Sequence, residues 1–281
     1  MKLDGATFLL QWASGGLVFG WVTTRRREVS LGYGWLIRIT FGLMALGAFA
    51  LFVANDHPDA ASFALACVVA TGVALALSVQ RRAAGARGRE ELRSARRARV
   101  AAMIGRPHEG DGTARGPEFP PVLDLIAPAF GAIGLLLAAR FAGGPFLLAA
   151  VRLLVGAAFL GSVSDAMLLG HWYLVQPGLR RDPVKELVLW TAAIWPLEIA
   201  VFLWPTGMVQ VVNGVIDDGY GGLLGWIWLT CAVTTIGLVA LTWAALRERS
   251  YSAVMAATGL LYLAILTAFG TDLIARAVLA P

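Results

Sequence analysis

Asp165, His171, Trp172 and Tyr173 fall within nine positions of a single apolar run, which ends at Pro177-Gly178 and is followed by Arg180 and Arg181. Side chains of these types can exchange protons and contact a flat ring. A carboxylic acid takes up and releases protons, and an imidazole does so near neutral pH. Indole and phenol rings stack and donate hydrogen bonds. Six residues put Asp165 and His171 about 120° apart around a helix and about 9 Å apart along it. His171 shares a stripe with Ser164, Met167 and Leu168, whereas Asp165 shares one with Leu169 and Trp172. His171, about one turn from the end of the run, and one adjacent aromatic are candidates for holding a quinone head group. The plainer reading of His171, Trp172 and Tyr173 is an aromatic belt at a membrane interface.

Other polar residues interrupt other apolar runs. Glu198 follows Pro196 by two positions, and Arg38, Tyr262, Thr234 and Thr235 stand in three further runs. Proline cannot donate a backbone hydrogen bond, so a kink and a freed carbonyl are expected beside Glu198. Counting residues from the run ends puts Asp165, Glu198, Tyr262 and the two threonines near one level, with Arg38 somewhat to one side. Asp165 and Glu198 are therefore expected within reach of each other or of Arg38. Two carboxylates in a medium of low dielectric do not both ionise cheaply, so a pair of them would share a proton. The alternative is a structural ion pair between Asp165 and Arg38, with Glu198 facing a loop.

The elements that would position these residues are membrane helices. Hydrophobic residues make up 58% of the 281 and charged residues 15%, which is the balance of the membrane class. Eight runs approach or exceed the roughly 20 residues needed to cross a bilayer: Gly5 to Thr23, Leu31 to Val53, Ala61 to Val79, Val122 to Ala139, Phe146 to Val175, Leu187 to Trp204, Leu223 to Leu246, and Ser252 to Arg276. The first has no basic region before it and Arg25, Arg26 and Arg27 after it, a retained helix and not a cleaved signal. The fifth is longer than a perpendicular crossing needs, so it must tilt or protrude near Arg152. Gly15-Gly16 and Gly20 form a small-residue packing face on the first.

Arginine fixes the orientation. The first, third, fifth and seventh connections carry Arg25 to Arg27, the Arg81 to Arg115 set, Arg180 with Arg181 and Lys185, and Arg247 with Arg249; the other three carry only Arg140. The positive-inside rule then predicts an all-α polytopic integral membrane protein with both termini outside and one long cytoplasmic loop. Three sections follow: helices one to three over residues 1–80, a basic helix and flexible linker over 81–120, and helices four to eight over 121–281. The basic segment 81–106 either docks a partner or anionic lipid head groups, or simply fixes orientation. The net charge of +5 resides in these connections and does not point to nucleic acid. Lysine occurs only at Lys2 and Lys185, against abundant arginine, alanine and glycine, the bias of a high-GC bacterial gene.

The missing motifs exclude several functions. A lone membrane histidine cannot supply bis-histidine haem ligation. The sequence has no H-E-x-x-H, G-x-S-x-G, Walker A or C-x-x-C element, so no catalytic motif and no metal or haem site are expected. Cys67 and Cys231 read as small core residues. Three functions remain: a membrane subunit of bacterial energy metabolism that contacts quinone or protons, a proton-coupled small-molecule transporter, and a scaffold or assembly factor.

Overall fold

The computed structural model describes residues 4–84, 94–95, 117–176, 179–205, 207–248 and 250–279. Among the described residues there are eight long helices: α1 (Gly5–Thr24), α2 (Leu31–Ala54), α3 (Pro58–Gln80), α4 (Ile126–Ala138), α5 (Phe146–Val175), α6 (Asp182–Leu203), α7 (Leu223–Ala245) and α8 (Tyr251–Val278). A 3-10 turn at Pro121–Leu125 leads into α4, and a single turn at Met208–Val212 separates α6 from α7. No strand occurs among the described residues. Apart from residues 81–84 and 94–95, the helix expected over 81–106 lies outside the described residues.

Seven helices, all but α1, are long and apolar enough to cross a membrane, α4 being taken with its 3-10 lead-in. Their outward faces keep large apolar side chains uncovered; Leu43, Val69, Leu197, Val233 and Leu266 are each more than half exposed. In water such a surface would aggregate. Facing lipid it costs nothing, so the fold fits a multi-pass membrane protein.

α1 is the exception and the centre of the bundle. It carries Thr7, Gln11, Ser14 and Thr23, all buried. α2, α4 and α5 pack directly along it. Trp12 meets Phe269 of α8 edge-on, with ring centroids 4.4 Å apart. Small residues permit this enclosure. A Cβ on Gly15 would lie 1.7 Å from the Ala157 carbonyl oxygen, and one on Gly161 would lie 2.2 Å from the Gly15 backbone. On the other side, Cβ atoms on Gly16 and Gly20 would strike Phe41 and Ile37 of α2. The glycine face read from the sequence therefore seats α1 between α5 and α2.

The basic connections converge on one face. Arg25 and Arg26 both pair with Glu186 at the start of α6, and Arg27 pairs with Glu118 ahead of α4. Arg181 donates to the backbone carbonyls of Glu248 and Ser250 between α7 and α8. Helix ends thus alternate between a basic face and an opposite face. Two expectations change here. Arg152 does not protrude but is buried. The surplus length of α5 extends instead at the basic end, where Trp172 donates to Ser30 at 3.1 Å and the Ser30 amide donates to Gln176. α6 begins at Asp182 and not at Leu187, because Asp182-Pro183 supplies a first turn that hydropathy alone overlooks. It runs on as helix past Pro196.

Candidate functional site

A buried charged cluster joins four helices toward the opposite face. Asp272 and Arg276 are one turn apart on α8, so they share a helix side. Arg276 grips the carboxylate as a fork, Nε to Oδ2 at 2.7 Å and a terminal nitrogen to Oδ1 at 3.0 Å. Gln11 of α1 closes the ring: its amide nitrogen donates to Asp272 at 3.2 Å and its oxygen accepts from Arg276. Gly156 of α5 makes room, since a Cβ there would lie 2.3 Å from the Gln11 nitrogen and 2.9 Å from Asp272. Arg152, one turn earlier on α5, donates to the Val201 carbonyl at 2.7 Å. That carbonyl lacks a helical donor because the residue four positions on is Pro205.

Glu198 of α6 enters this cluster fully buried. The charged groups acting on it are Asp272, Arg276 and Arg152. Among the described residues neither of its carboxyl oxygens accepts a hydrogen bond from a donor, and the neighbouring polar group within reach is the Asp272 carboxyl, itself an acceptor. Four ionisable side chains therefore meet here, two of each sign, and one carboxyl is left without donors.

Asp165 lies elsewhere. It too is fully buried, but its partner is Tyr33 of α2, whose hydroxyl lies 3.4 Å from Oδ1 and 3.3 Å from the Asp165 backbone oxygen. Its Oδ2 has no donor among the described residues. Asp165 is nine residues beyond Gly156, or about 14 Å along α5 toward the basic face. The single polar layer expected from counting thus separates into two levels. Glu198 is five residues from the end of α6 and not at its middle, which follows from the earlier start of that helix.

Arg38 pairs with neither of these acids. Its Nε and one terminal nitrogen donate to both oxygens of Asp124 at 2.8 and 2.7 Å, and the other terminal nitrogen reaches Ser78 at 3.4 Å. Its guanidinium also lies 4.7 Å from the Phe119 ring centroid. A cleft of about 10 Å³ beside it, bounded by Leu17, Trp21 and Ile37, has room for little more than a water molecule. This is a satisfied ion pair, and Asp124 was hidden at the edge of an apolar run.

The aromatic cluster of α5 divides three ways, as consecutive positions about 100° apart require. His171 points to α8, with Nδ1 3.2 Å from the Tyr262 hydroxyl and the rings perpendicular. Trp172 turns to Ser30 and packs edge-on against Tyr33. Tyr173 is buried and donates to the Arg180 carbonyl. Ser164 accepts from Trp12 at 2.8 Å, so it does not share a pocket wall with His171. Tyr262 lies closer to the basic face than its count along α8 suggested. The α5–α8 crossing at Gly170 and Thr258 sets that level, a Gly170 Cβ falling 2.9 Å from the threonine hydroxyl. Thr235 bonds Thr267 at 2.8 Å, and Thr234 is exposed.

No family model matches the chain, and neither a curated protein nor a solved structure matches it. Sequence reasoning missed Gln11, Arg152, Asp272 and Arg276. The acid and base four apart in an otherwise apolar helix were the available signal.

Proposed function

We propose that the protein resides in a bacterial cytoplasmic membrane, crosses it eight times with both ends outside, and exchanges protons at Glu198. In this reading it is a membrane subunit of energy metabolism and not an enzyme by itself. One observation carries the proposal: Glu198 is fully buried in a cluster with two arginines and a second carboxyl, yet among the described residues neither of its oxygens has a donor. A carboxylate retained for structure would resemble Asp124, with both oxygens filled by one guanidinium. An unsatisfied buried polar group is costly, and such costs persist where function requires them. The orientation rests on the convergence of arginines on one face.

Quinone contact is assigned to His171 and Tyr262, a hydrogen-bonded pair left exposed on the flank of α5 and α8. A proton-coupled transporter is the second reading. It draws on the same Glu198 and on the two arginines as partners for an anionic solute, and solute-dependent proton uptake in vesicles would favour it. A scaffold role through 81–106 falls largely outside the described residues.

The test is infrared difference spectroscopy of the purified protein. An exchangeable protonated-carboxyl band should appear on a pH step, shift in heavy water, and vanish in Glu198→Gln. A spectrum unchanged by that substitution would overturn the assignment.

A further inference from the structure

The two carboxyls of the buried cluster are both fully enclosed, but they are filled unequally. Asp272 takes three donors over its two oxygens: Arg276 Nε, an Arg276 terminal nitrogen and the Gln11 amide. Glu198 takes none among the described residues, and the polar group within its hydrogen-bond reach is the Asp272 carboxyl. The levels of the helices agree with this contact. Arg152 acts on Glu198 from α5 and donates to Val201, just under one turn further along α6. One turn from Arg152, Gly156 lies against Asp272. The other helices add no charge here. α1 and α7 carry no charged side chain, and the Cys231 thiol of α7 packs on Gly270 of α8. The charged groups that face Glu198 are therefore Asp272, Arg276 and Arg152.

Two carboxylates in contact repel each other, and no donor stands between these two. A carboxylic acid supplies the O–H that the contact lacks. Building on the proton-exchanging role of Glu198, we propose that Glu198 and Asp272 form a one-proton carboxyl pair, in which the Glu198 acid donates its O–H to the Asp272 carboxylate. The proton sits on Glu198 because three donors already hold Asp272 as the anion. In this state the cluster sets two guanidinium charges against one carboxylate. Release of the proton to solvent breaks the Glu198 O–H bond and leaves its electron pair on that oxygen. The cluster then sets two positive charges against two negative ones, and Arg152 and Arg276 stabilise the second carboxylate. Asp272 is thus a positioning residue. It fixes where the Glu198 proton points, and it loses a fourth donor each time that proton leaves.

The experiment is isotope-edited infrared difference spectroscopy across a pH step. The full chain is made by cell-free synthesis into lipid nanodiscs, once with carbon-13 in the glutamate side-chain carboxyls and once in those of aspartate. Labelled glutamate should shift the exchangeable acid band. Labelled aspartate should leave that band in place and shift instead a carboxylate feature, which arises as Asp272 loses its donor. Glu198→Gln should erase both signals. Labelling changes no side chain, so this comparison does not depend on an Asp272 variant that folds. Asp272→Asn then replaces the charged acceptor with a neutral one, to which a hydrogen bond is roughly half as strong. The Glu198 acid band should accordingly move to higher frequency. An acid band that shifts with labelled aspartate would put the proton on Asp272 and overturn the assignment. A Glu198 band with no accompanying aspartate feature would overturn the pair while leaving proton exchange at Glu198 intact. A spectrum indifferent to Glu198→Gln would instead remove the exchanging site itself, so the two failures are distinguishable.

Discussion

At the residue scale, the two kinds of buried charge call for opposite outcomes. Arg38 and Asp124 fill each other's hydrogen bonds, so removing one strands the other. Arg38→Ala or Asp124→Ala should each cost about 3–5 kcal/mol, and replacing both with leucine should recover most of it. Thermal or denaturant unfolding in detergent would measure this. Glu198→Gln should behave differently, leaving the unfolding midpoint near wild type while removing the exchangeable proton, because no donor is lost. Should it collapse the fold instead, Glu198 is structural. His171→Ala should lower the amount of quinone that co-purifies while leaving stability nearly intact, since among the described residues its hydrogen-bond partner is the exposed Tyr262. Much of this was readable in advance: Asp165 and Glu198 stood out as acids in apolar runs. Their partners did not. A side chain's neighbour depends on rotation and level between helices, which one-dimensional spacing does not encode, so the sequence offers Arg38 both Asp165 and Glu198 while its partner is Asp124.

At the element scale, helix boundaries were legible where hydropathy changes sharply and blurred where polar residues belong to a first turn. α6 starts five residues before its apolar run, and that shift moved Glu198 from the middle of the bundle toward one face. Glycine contacts decide how closely α1 and α5 approach. Gly15→Ala should displace α5 and lower the unfolding midpoint strongly, whereas Gly72→Ala on α3 meets no atom within 4 Å and should be neutral or slightly stabilising. The start of α7 depends on one carboxylate. Asp218 accepts from the amides of Tyr220 and Gly222 on one oxygen and from those of Leu224 and Gly225 on the other. Partial loss of water would raise its pKa, but these four donors hold it below the usual carboxylate range. A group depressed in the folded state stabilises fully above its unfolded pKa, and that contribution is lost as pH falls through the folded value. Exchange protection factors at Tyr220, Gly222, Leu224 and Gly225, corrected for intrinsic rates, should therefore fall on acidification, and Asp218→Asn should abolish that pH dependence.

At the scale of the whole molecule, composition alone identified the class, and arginine distribution anticipated the face on which the ion pairs gather. Orientation can be tested by replacing Cys67 and Cys231 with alanine and adding single cysteines. Val215→Cys, on an exposed side chain of the opposite face, should react with an impermeant reagent in intact cells, and Ala95→Cys should not. The reverse pattern would invert the assignment. Gly207 is unsuitable for this purpose, because a Cβ there would lie 1.9 Å from the Phe202 carbonyl. The enclosure of α1 has a further consequence, in biogenesis. The helix at the centre of the bundle is the least suited to lipid, and it is synthesised before α5 and α8, which cover its polar side. During that interval Gln11 has neither Asp272 nor Arg276. α1 must therefore wait at the insertion machinery or against a chaperone until residue 276 has emerged. A nascent chain halted after α3 should turn over faster than the complete protein in a pulse-chase experiment. Gln11→Leu should prolong the life of that fragment, even though in the finished molecule it removes a strut of the cluster.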